Sequence, residues 1–468
     1  MNYAAIIRML SLAGLGYAAI MLFCAMIALF SGETAQLHVF LTTTVLVATL
    51  AIAALVLTGT PKRRALPSDG LAFMVFFWIF SGIVCAPPFL MGLPNDSLVT
   101  ALHEAVSCLT TTGHSALNPQ FLDLPVSILM YRAALHLAGA IATITLAATV
   151  LAALNLDGPG IHRTHLYSLS DASFFDSVPR VLRTVALVAS VCVLLVFAIE
   201  VVGGIPVTTA FFDAVSAFST GLAEPQGLIN DVTREARAIG ITFGLILGSV
   251  GIFVLLQMVT RDWKRTLTDA EVTTFVVCLV LFTLLAAIEG LNGLNSFGWA
   301  ISALSTSGIA LVSPSTTQSL PLALQLAPAL IGGAALSAAG GIKLARVYVL
   351  SRRVGQEFLR MGFKQSLLHF QFRRRVQSDR TLMGIWVYLV AYIMASVVGM
   401  LLFSFSGLNF EDSISNTVGS LTNSGNLIEL QNLPGHDVHQ LFLVFGMILG
   451  RLEVLAFIPL LTLSFWRR

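Results

Sequence analysis

Long apolar runs alternate along this chain with short amphipathic ones, and the alternation repeats. Two apolar runs come first, Ala4–Phe30 and His38–Leu57, each long enough to cross a bilayer as a helix. The first exceeds a secretory signal in length and lacks a small-residue cleavage site, so it reads as a helix that stays. Beyond the basic cluster Pro61-Lys-Arg-Arg64, a unit of long helix, short helix, polar loop and long helix is stated four times. The pattern predicts Leu71–Met91, Ser97–Leu109 and Val126–Leu154 for the first unit, and Val181–Val202, Thr208–Phe218 and Ile239–Val259 for the second. The third is Val272–Leu291, Ser296–Leu304 and Pro321–Leu350; the fourth is Leu382–Phe405, Asp412–Leu421 and Leu441–Phe465. The domain bounds that follow are a helix pair at 1–60, units at 61–160, 161–265 and 266–353, and a basic link with the fourth unit at 354–468.

Asp96/Ser97, Thr208/Thr209, Asn295/Ser296 and Glu411/Asp412 are the expected caps of the short helices. At about ten residues these helices reach ~15 Å, half the hydrocarbon thickness, so they dip in and return. Each runs into a similar loop. Ser107-Cys-Leu-Thr-Thr-Thr-Gly113 is matched by Ser302-Ala-Leu-Ser-Thr-Ser-Gly308 and Gly419-Ser-Leu-Thr-Asn-Ser-Gly425, and by Ser216-Ala-Phe-Ser-Thr-Gly221, one residue shorter. The likeness extends upstream, where Glu104-Ala-Val-Ser-Cys aligns with Asp213-Ala-Val-Ser-Ala, Trp299-Ala-Ile-Ser-Ala and Asn416-Thr-Val-Gly-Ser.

Composition bears this out. Of 468 residues 56% are hydrophobic and 11% charged, which exceeds the apolar content of a soluble domain and indicates a multi-spanning membrane protein. Cys24, Cys85, Cys108, Cys192 and Cys278 are scattered through apolar segments with no CxxC or Cys/His cluster, so they read as small core residues. With both termini in the cytoplasm, the inner side collects Arg8, Lys62–Arg64, Arg163, Arg180, Arg183, Arg261, Lys264, Arg265, the run Arg352–Arg380, Arg467 and Arg468. The outer loops keep Arg132, Arg234 and Arg237, with Asp96, Asp123, Glu224, Asp231, Glu411, Asp412 and Asp437. That asymmetry puts all four re-entrant loops on the outer face.

Non-helical backbone at membrane depth is tolerated where protein buries it or where it lines a wet cavity. A Ser/Thr run ending in glycine suits the second case, because glycine admits positive φ and lets successive carbonyls turn towards one axis. Each short helix enters from outside, so its partially negative C-terminus favours a cation at the centre. The competing reading is that these small residues are helix-packing surfaces.

On these residues the chain resembles the Trk/Ktr/HKT superfamily of potassium-translocating subunits, the bacterial Trk branch in particular. The most specific pieces are Thr110-Thr-Thr-Gly113, Ile331-Gly-Gly-Ala-Ala-Leu-Ser-Ala-Ala-Gly-Gly-Ile-Lys343 and Gly450-Arg-Leu-Glu453. The resemblance implies an all-α polytopic fold of four tandem units of helix, pore helix, filter loop and helix around a central pore, preceded by an N-terminal helix pair. It also implies a homodimer in the bacterial inner membrane and a cytosolic nucleotide-binding regulatory subunit, docked by the basic link Ser351–Arg380. On residues alone, that link is a basic helix lying on anionic lipid. No nucleic-acid partner and no catalytic cofactor are expected.

The glycine pairs Gly332-Gly333 and Gly340-Gly341 break the third unit's second span, either as a gating loop beneath the filter or as a close-packing helix face. Arg451, with apolar sequence on both sides, is expected to face a vestibule below the filter, or else to lock two helices by a salt bridge. Glu453 is a poor intrahelical partner for it. Lys343 is expected to snorkel to the interface. Leu222, Leu336 and Ala338 depart from the family's usual glycine, glycine and threonine, and His114 and Asn426 are unusual fillings beside the filter.

The function that follows is potassium uptake, with K⁺ as cargo. Backbone oxygens of Thr111, Thr112, Thr220, Gly221, Thr306, Ser307, Asn423 and Ser424 are the coordination set, Gly113, Gly308 and Gly425 shape the turns, and Gly332, Gly333, Gly340, Gly341, Lys343 and Arg451 gate. The alternatives are a non-selective or Na⁺-conducting channel of the same fold, and a secondary transporter, against which the uniform orientation of the repeats argues. Paired carboxylates, HExxH and Ser-His constellations are absent at membrane depth, so no enzymatic chemistry is expected.

Overall fold

Two apolar helices, α1 (Tyr3–Phe30) and α2 (Thr34–Thr58), form an antiparallel pair turned at Gly32, whose φ of 75° closes the hairpin. The computed structural model describes residues 1–59, 64–93, 97–117, 124–151, 174–221, 231–259, 266, 268–309, 311, 320–362, 371–372, 375–376, 379–428, 436–457, 459, 462 and 465. Lys62, Arg63, Arg163, Arg261, Lys264, Arg265, Arg467, Arg468, Asp96, Asp123, Leu222 and Glu224 lie outside them.

The first unit is α3 (Pro67–Cys85), α4 (Pro87–Gly92), short α5 (Leu98–Leu109) and α6 (Val126–Leu146). The second is α7 (Val178–Val202), short α8 (Val207–Ser219), α9 (Asp231–Ser249) and α10 (Ile252–Val259). The third is α11 (Ala270–Ile288), short α12 (Gly293–Leu304), α13 (Leu322–Ile331) and α14 (Leu344–Gly362). The fourth is α15 (Asp379–Phe405), short α16 (Phe410–Thr422) and α17 (His436–Arg451). Among the described residues seven helices are long and apolar enough to cross a membrane, or eight if the bent pair α9–α10 is one span. Gly204, Gly290 and Gly407 end the first helices of units two to four with φ of 83°, 99° and 98°, turning the chain back towards the short helices.

The units close into a ring. The second helix of each packs against the short helix of the next: α6 on α8, α9 on α12, α13 on α16, and α17 back on α5. The short helices are the centre. From Thr100 through Leu109 nearly every α5 side chain is buried, and Phe212–Ser219 in α8 and Asn416–Thr422 in α16 are buried throughout. The most apolar helices are on the outside, with only 17% of the α15 window buried. This inversion is expected in lipid, where apolar surface has no reason to hide and polar backbone does.

Several boundaries differ from the sequence reading. Ile239–Val259 is not one straight helix, because α9 and α10 meet at 110° about Ser249–Gly251. The last span stops at Arg451, where Glu453 turns left-handed at φ 48° before a 3₁₀ turn at Val454–Ala456. Pro87 and Pro88 divide the first outer helix. Ser97 and Asn409 cap α5 and α16 through their side chains, whereas α8 starts behind Pro206 and α12 behind Asn292 without a side-chain cap. In the basic link, α14 gives way to a two-stranded hairpin, Gln371–Phe372 against Arg375–Val376, which helical periodicity did not anticipate. All five cysteines are buried and free.

Candidate functional site

Each short helix ends the same way. Thr111, Thr220, Thr306 and Asn423 take left-handed backbone at φ 53°, 54°, 57° and 55°. The next amide reaches back across the last turn: Thr112 N–H to Ser107 O at 2.9 Å, Gly221 to Ser216 at 3.1 Å, Ser307 to Ser302 at 3.1 Å and Ser424 to Gly419 at 2.8 Å. This is the helix stop usually made by glycine, here built on threonine or asparagine in all four copies. Each β-branched copy costs about 1–2 kcal/mol of backbone strain, retained because the surrounding packing over-determines it. The sequence reading gave the turn to the glycines. Gly113 and Gly308 are left-handed, at 74° and 66°, but Gly221 and Gly425 are not.

Gly221 and Gly425 serve close approach instead. A Cβ on Gly221 would lie 2.2 Å from the Thr111 carbonyl oxygen, and one on Gly425 2.3 Å from that of Thr112. A Cβ on Gly308 would meet the Asn426 amide at 2.8 Å. The first loop therefore touches the second and fourth, and the third touches the fourth, in the order of the helix ring. Asn423 Nδ2 donates to Thr112 Oγ1 at 3.1 Å and to Met447 O at 3.0 Å. Of the coordination set, Thr111, Thr112, Thr220, Gly221, Thr306, Ser307, Asn423 and Ser424 are all buried, while Gly425 is half-buried. Glycines also draw the second helices inward, since Cβ atoms on Gly139, Gly248 and Gly450 would lie 1.9, 2.3 and 2.3 Å from the carbonyls of Leu109, Phe218 and Leu421.

Against these loops lies the non-helical stretch 332–343 that separates α13 from α14. It is pinned at the α9–α10 bend, where Ala334 N–H donates to Ser249 O at 2.9 Å, Ala338 N–H to Gly248 O at 3.1 Å and Ile252 N–H to Leu336 O at 3.1 Å. Its upper end meets the third loop through Gly340 N–H to Thr306 Oγ1 at 2.8 Å, and a Cβ on Gly340 would lie 1.8 Å from Thr422 O. Gly332 and Gly341 are left-handed, at 72° and 81°, and a Cβ on Gly333 would meet Ala339 Cβ at 2.6 Å. Leu336 sits at φ 57°.

Arg451 joins this stretch to the first loop. Its Nε donates to Thr110 O at 2.6 Å, its Nη1 to Ala338 O at 2.7 Å, and its Nη2 to Thr111 Oγ1. The expected open vestibule is instead a close protein contact, with Arg451 only 5% exposed. A cavity of about 20 Å³ remains among Thr143, Leu336, Ser337, Gly340, Gly450 and Arg451, room for one water molecule. Lys343 does not snorkel. It is buried and its ammonium donates to Ala339 O, because carbonyls of a buried non-helical loop need a donor from somewhere. Glu453 pairs with Arg346, whose guanidinium also lies 4.0 Å from the Tyr388 ring centre.

Sequence reasoning missed the ion pairs on the short helices. Arg132 and Arg237, counted as outer-loop cations, lie in α6 and α9 and pair with Glu104 and Asp213 on the short helices. Glu104 Oε1 also accepts from Ser115 Oγ at 2.8 Å and from the Ala116 amide at 2.6 Å, holding the segment after the first loop. The signal was present, since Glu104 and Asp213 occupy the same repeat position. His114 faces His103 across 3.0 Å between ring nitrogens, and Ser107 Oγ donates to the His114 carbonyl at 2.5 Å.

No protein-family model matches the chain. It is 28% identical over 425 residues to the Trk system potassium uptake protein TrkH of Salmonella typhimurium, covering 85% of this chain and 86% of the relative. With TrkG of Escherichia coli, also a Trk system potassium uptake protein, it shares 25% identity over 419 residues, 85% of each. The crystal structure of the potassium transporter TrkH from Vibrio parahaemolyticus superposes with a TM-score of 0.86, covering 100% of both chains at 23% identity. In sequence over most of its length this chain is similar to the Trk system potassium uptake proteins TrkH and TrkG, and in fold throughout it is similar to TrkH.

Proposed function

We propose that this chain is the ion-translocating subunit of a potassium uptake system, a transport protein rather than an enzyme. The observation that carries the reading is the fourfold repeated helix stop, with left-handed residues Thr111, Thr220, Thr306 and Asn423 on short helices whose end loops touch one another inside one ring. In it, carbonyl oxygens of Thr111, Thr112, Thr220, Gly221, Thr306, Ser307, Asn423 and Ser424 replace the hydration shell of K⁺. The short-helix C-termini, aimed at the same centre, add negative potential. The membrane potential supplies ~2.3 kcal/mol per charge per 100 mV, enough to drive uptake inward without coupled chemistry.

The stretch 332–343 is the gate, and its contacts with Thr306 and Arg451 support a closed conformation. Both termini face the cytoplasm of a bacterial inner membrane, with the filter loops outside. The chain works as a homodimer with a separate nucleotide-binding subunit; the naming of its relatives as proteins of a Trk system supports only that other subunits take part. The domain bounds of the four units, including the broken third, belong to the same reading.

Reconstitution in liposomes tests it. With a negative-inside potential, rubidium should enter in preference to sodium, and the chain should restore low-potassium growth to a bacterium lacking potassium uptake. Equal rubidium and sodium entry would replace the reading with a non-selective channel. Gly113→Asp should abolish both activities while leaving expression intact.

A further inference from the structure

Hydroxyl protons in the first loop can be counted. Thr110 Oγ1 donates its single proton to Val106 O at 2.7 Å. The 2.8 Å contact between Thr110 Oγ1 and Thr112 Oγ1 therefore runs from Thr112 to Thr110, which spends the proton of Thr112 as well. Thr112 Oγ1 has only acceptor capacity left, and Met447 O is an acceptor by nature. Asn423 lies between these two and must present its NH₂ to both, so the orientation of its amide is fixed by the bonding. One chain of donors then runs from Asn423 in the fourth loop through Thr112 and Thr110 to the first short helix. The second amide proton anchors the same side chain to α17.

A threonine in this position, as in the other three copies, has one proton and cannot make both bonds. The room for the longer side chain comes from Gly450, where a Cβ would lie 3.0 Å from Asn423 Oδ1. The backbone seam lies directly alongside, with Gly425 against the Thr112 carbonyl. Arg451 holds the same loop from the other side, at Thr110 O and Thr111 Oγ1.

We infer that Asn423 is a positioning residue whose side chain straps the fourth loop to the first, fixing the Thr112 carbonyl and with it the discrimination between alkali ions. Its amide is a strut, and only its backbone oxygen is left for the ion. The inference rests on the potassium reading and adds the residue that sets the first-to-fourth seam.

The test uses the full chain in liposomes, measuring rubidium and sodium entry for wild type, Asn423→Thr, Thr112→Val and the double variant. The rubidium-to-sodium ratio should fall about tenfold in Asn423→Thr, the scale of one lost buried hydrogen bond. Thr112→Val should reproduce the fall, and the double variant should fall no further, because both changes cut one link. A selective wild type with an unchanged ratio in Asn423→Thr overturns the inference, as do single losses that multiply in the double variant. A wild type carrying neither ion overturns the potassium reading and the inference with it. Should Asn423→Thr not elute as a single folded species in detergent, the Thr112→Val ratio decides alone.

Discussion

Arg451 Nε donates to the carbonyl oxygen of Thr110 over 2.6 Å, joining residues 341 positions apart. Its Nη1 holds Ala338 at the same time, so one side chain ties α17, the loop after α5 and the 332–343 stretch together. Hydrogen bonds from a charged donor contribute about 1.5–3 kcal/mol each. Arg451→Gln should therefore shift the gate towards opening, raising rubidium entry into liposomes by about tenfold or more until opening saturates. Unchanged or lower entry would remove Arg451 from any part in closure.

Leu336 pits two effects against each other. Replacing it with glycine relieves about 1–2 kcal/mol of left-handed strain. It also removes a buried side chain packed with Ile144, Val181 and Ile252, which costs about 2–5 kcal/mol. The packing loss is larger, so Leu336→Gly should loosen the closed stretch and raise basal rubidium leak. A tighter transporter would mean that strain dominates.

Two alanine substitutions of similar steric severity should act in opposite directions. In Gly340→Ala the added methyl would collide with Thr422 O, and in Gly221→Ala with Thr111 O. The first displaces the proposed gating stretch and should increase leak. The second displaces a carbonyl of the proposed coordination set and should abolish uptake. Paired flux assays check both, and equal loss in the two variants would mean that 332–343 is structural only.

Glu104 and Arg132 are 0% and 1% exposed, whereas Asp213 and Arg237 are 8% and 14% exposed. Removing one partner of a fully buried pair costs about 3–5 kcal/mol, and partial exposure reduces that cost. Glu104→Gln should lower the thermal midpoint of the detergent-purified protein well below that of Asp213→Asn. Glu104→Gln with Arg132→Met should recover much of the loss, since no unpaired charge is left. A larger effect at Asp213 would reverse the ranking that burial assigns.

The short helices and their loops were legible in sequence because they are local and repeated, and the glycine pairs marked the break between α13 and α14 for the same reason. The bend at Ser249–Gly251 was not, because Gly248 and Gly251 look like ordinary small residues until the carbonyls of Phe218 and Ala335 are found against them. Lys343 was misjudged for a related reason. Length and position favour snorkelling, and only the folded loop offers it the Ala339 carbonyl.

Apolar periodicity, sub-spanning helix length and four statements of one motif determined by themselves that this chain carries several helices of membrane-spanning length and four short helices, each followed by a similar loop. They are properties of neighbouring residues, and neighbours fix local backbone. Which donor meets which acceptor across hundreds of positions was decided only by the closed ring of helices. There Asn423 reaches Thr112, Arg451 reaches Thr110, and the left-handed strain falls on threonine and asparagine rather than on glycine. A buried polar group must find a partner wherever the fold brings one, and sequence spacing carries no record of that distance.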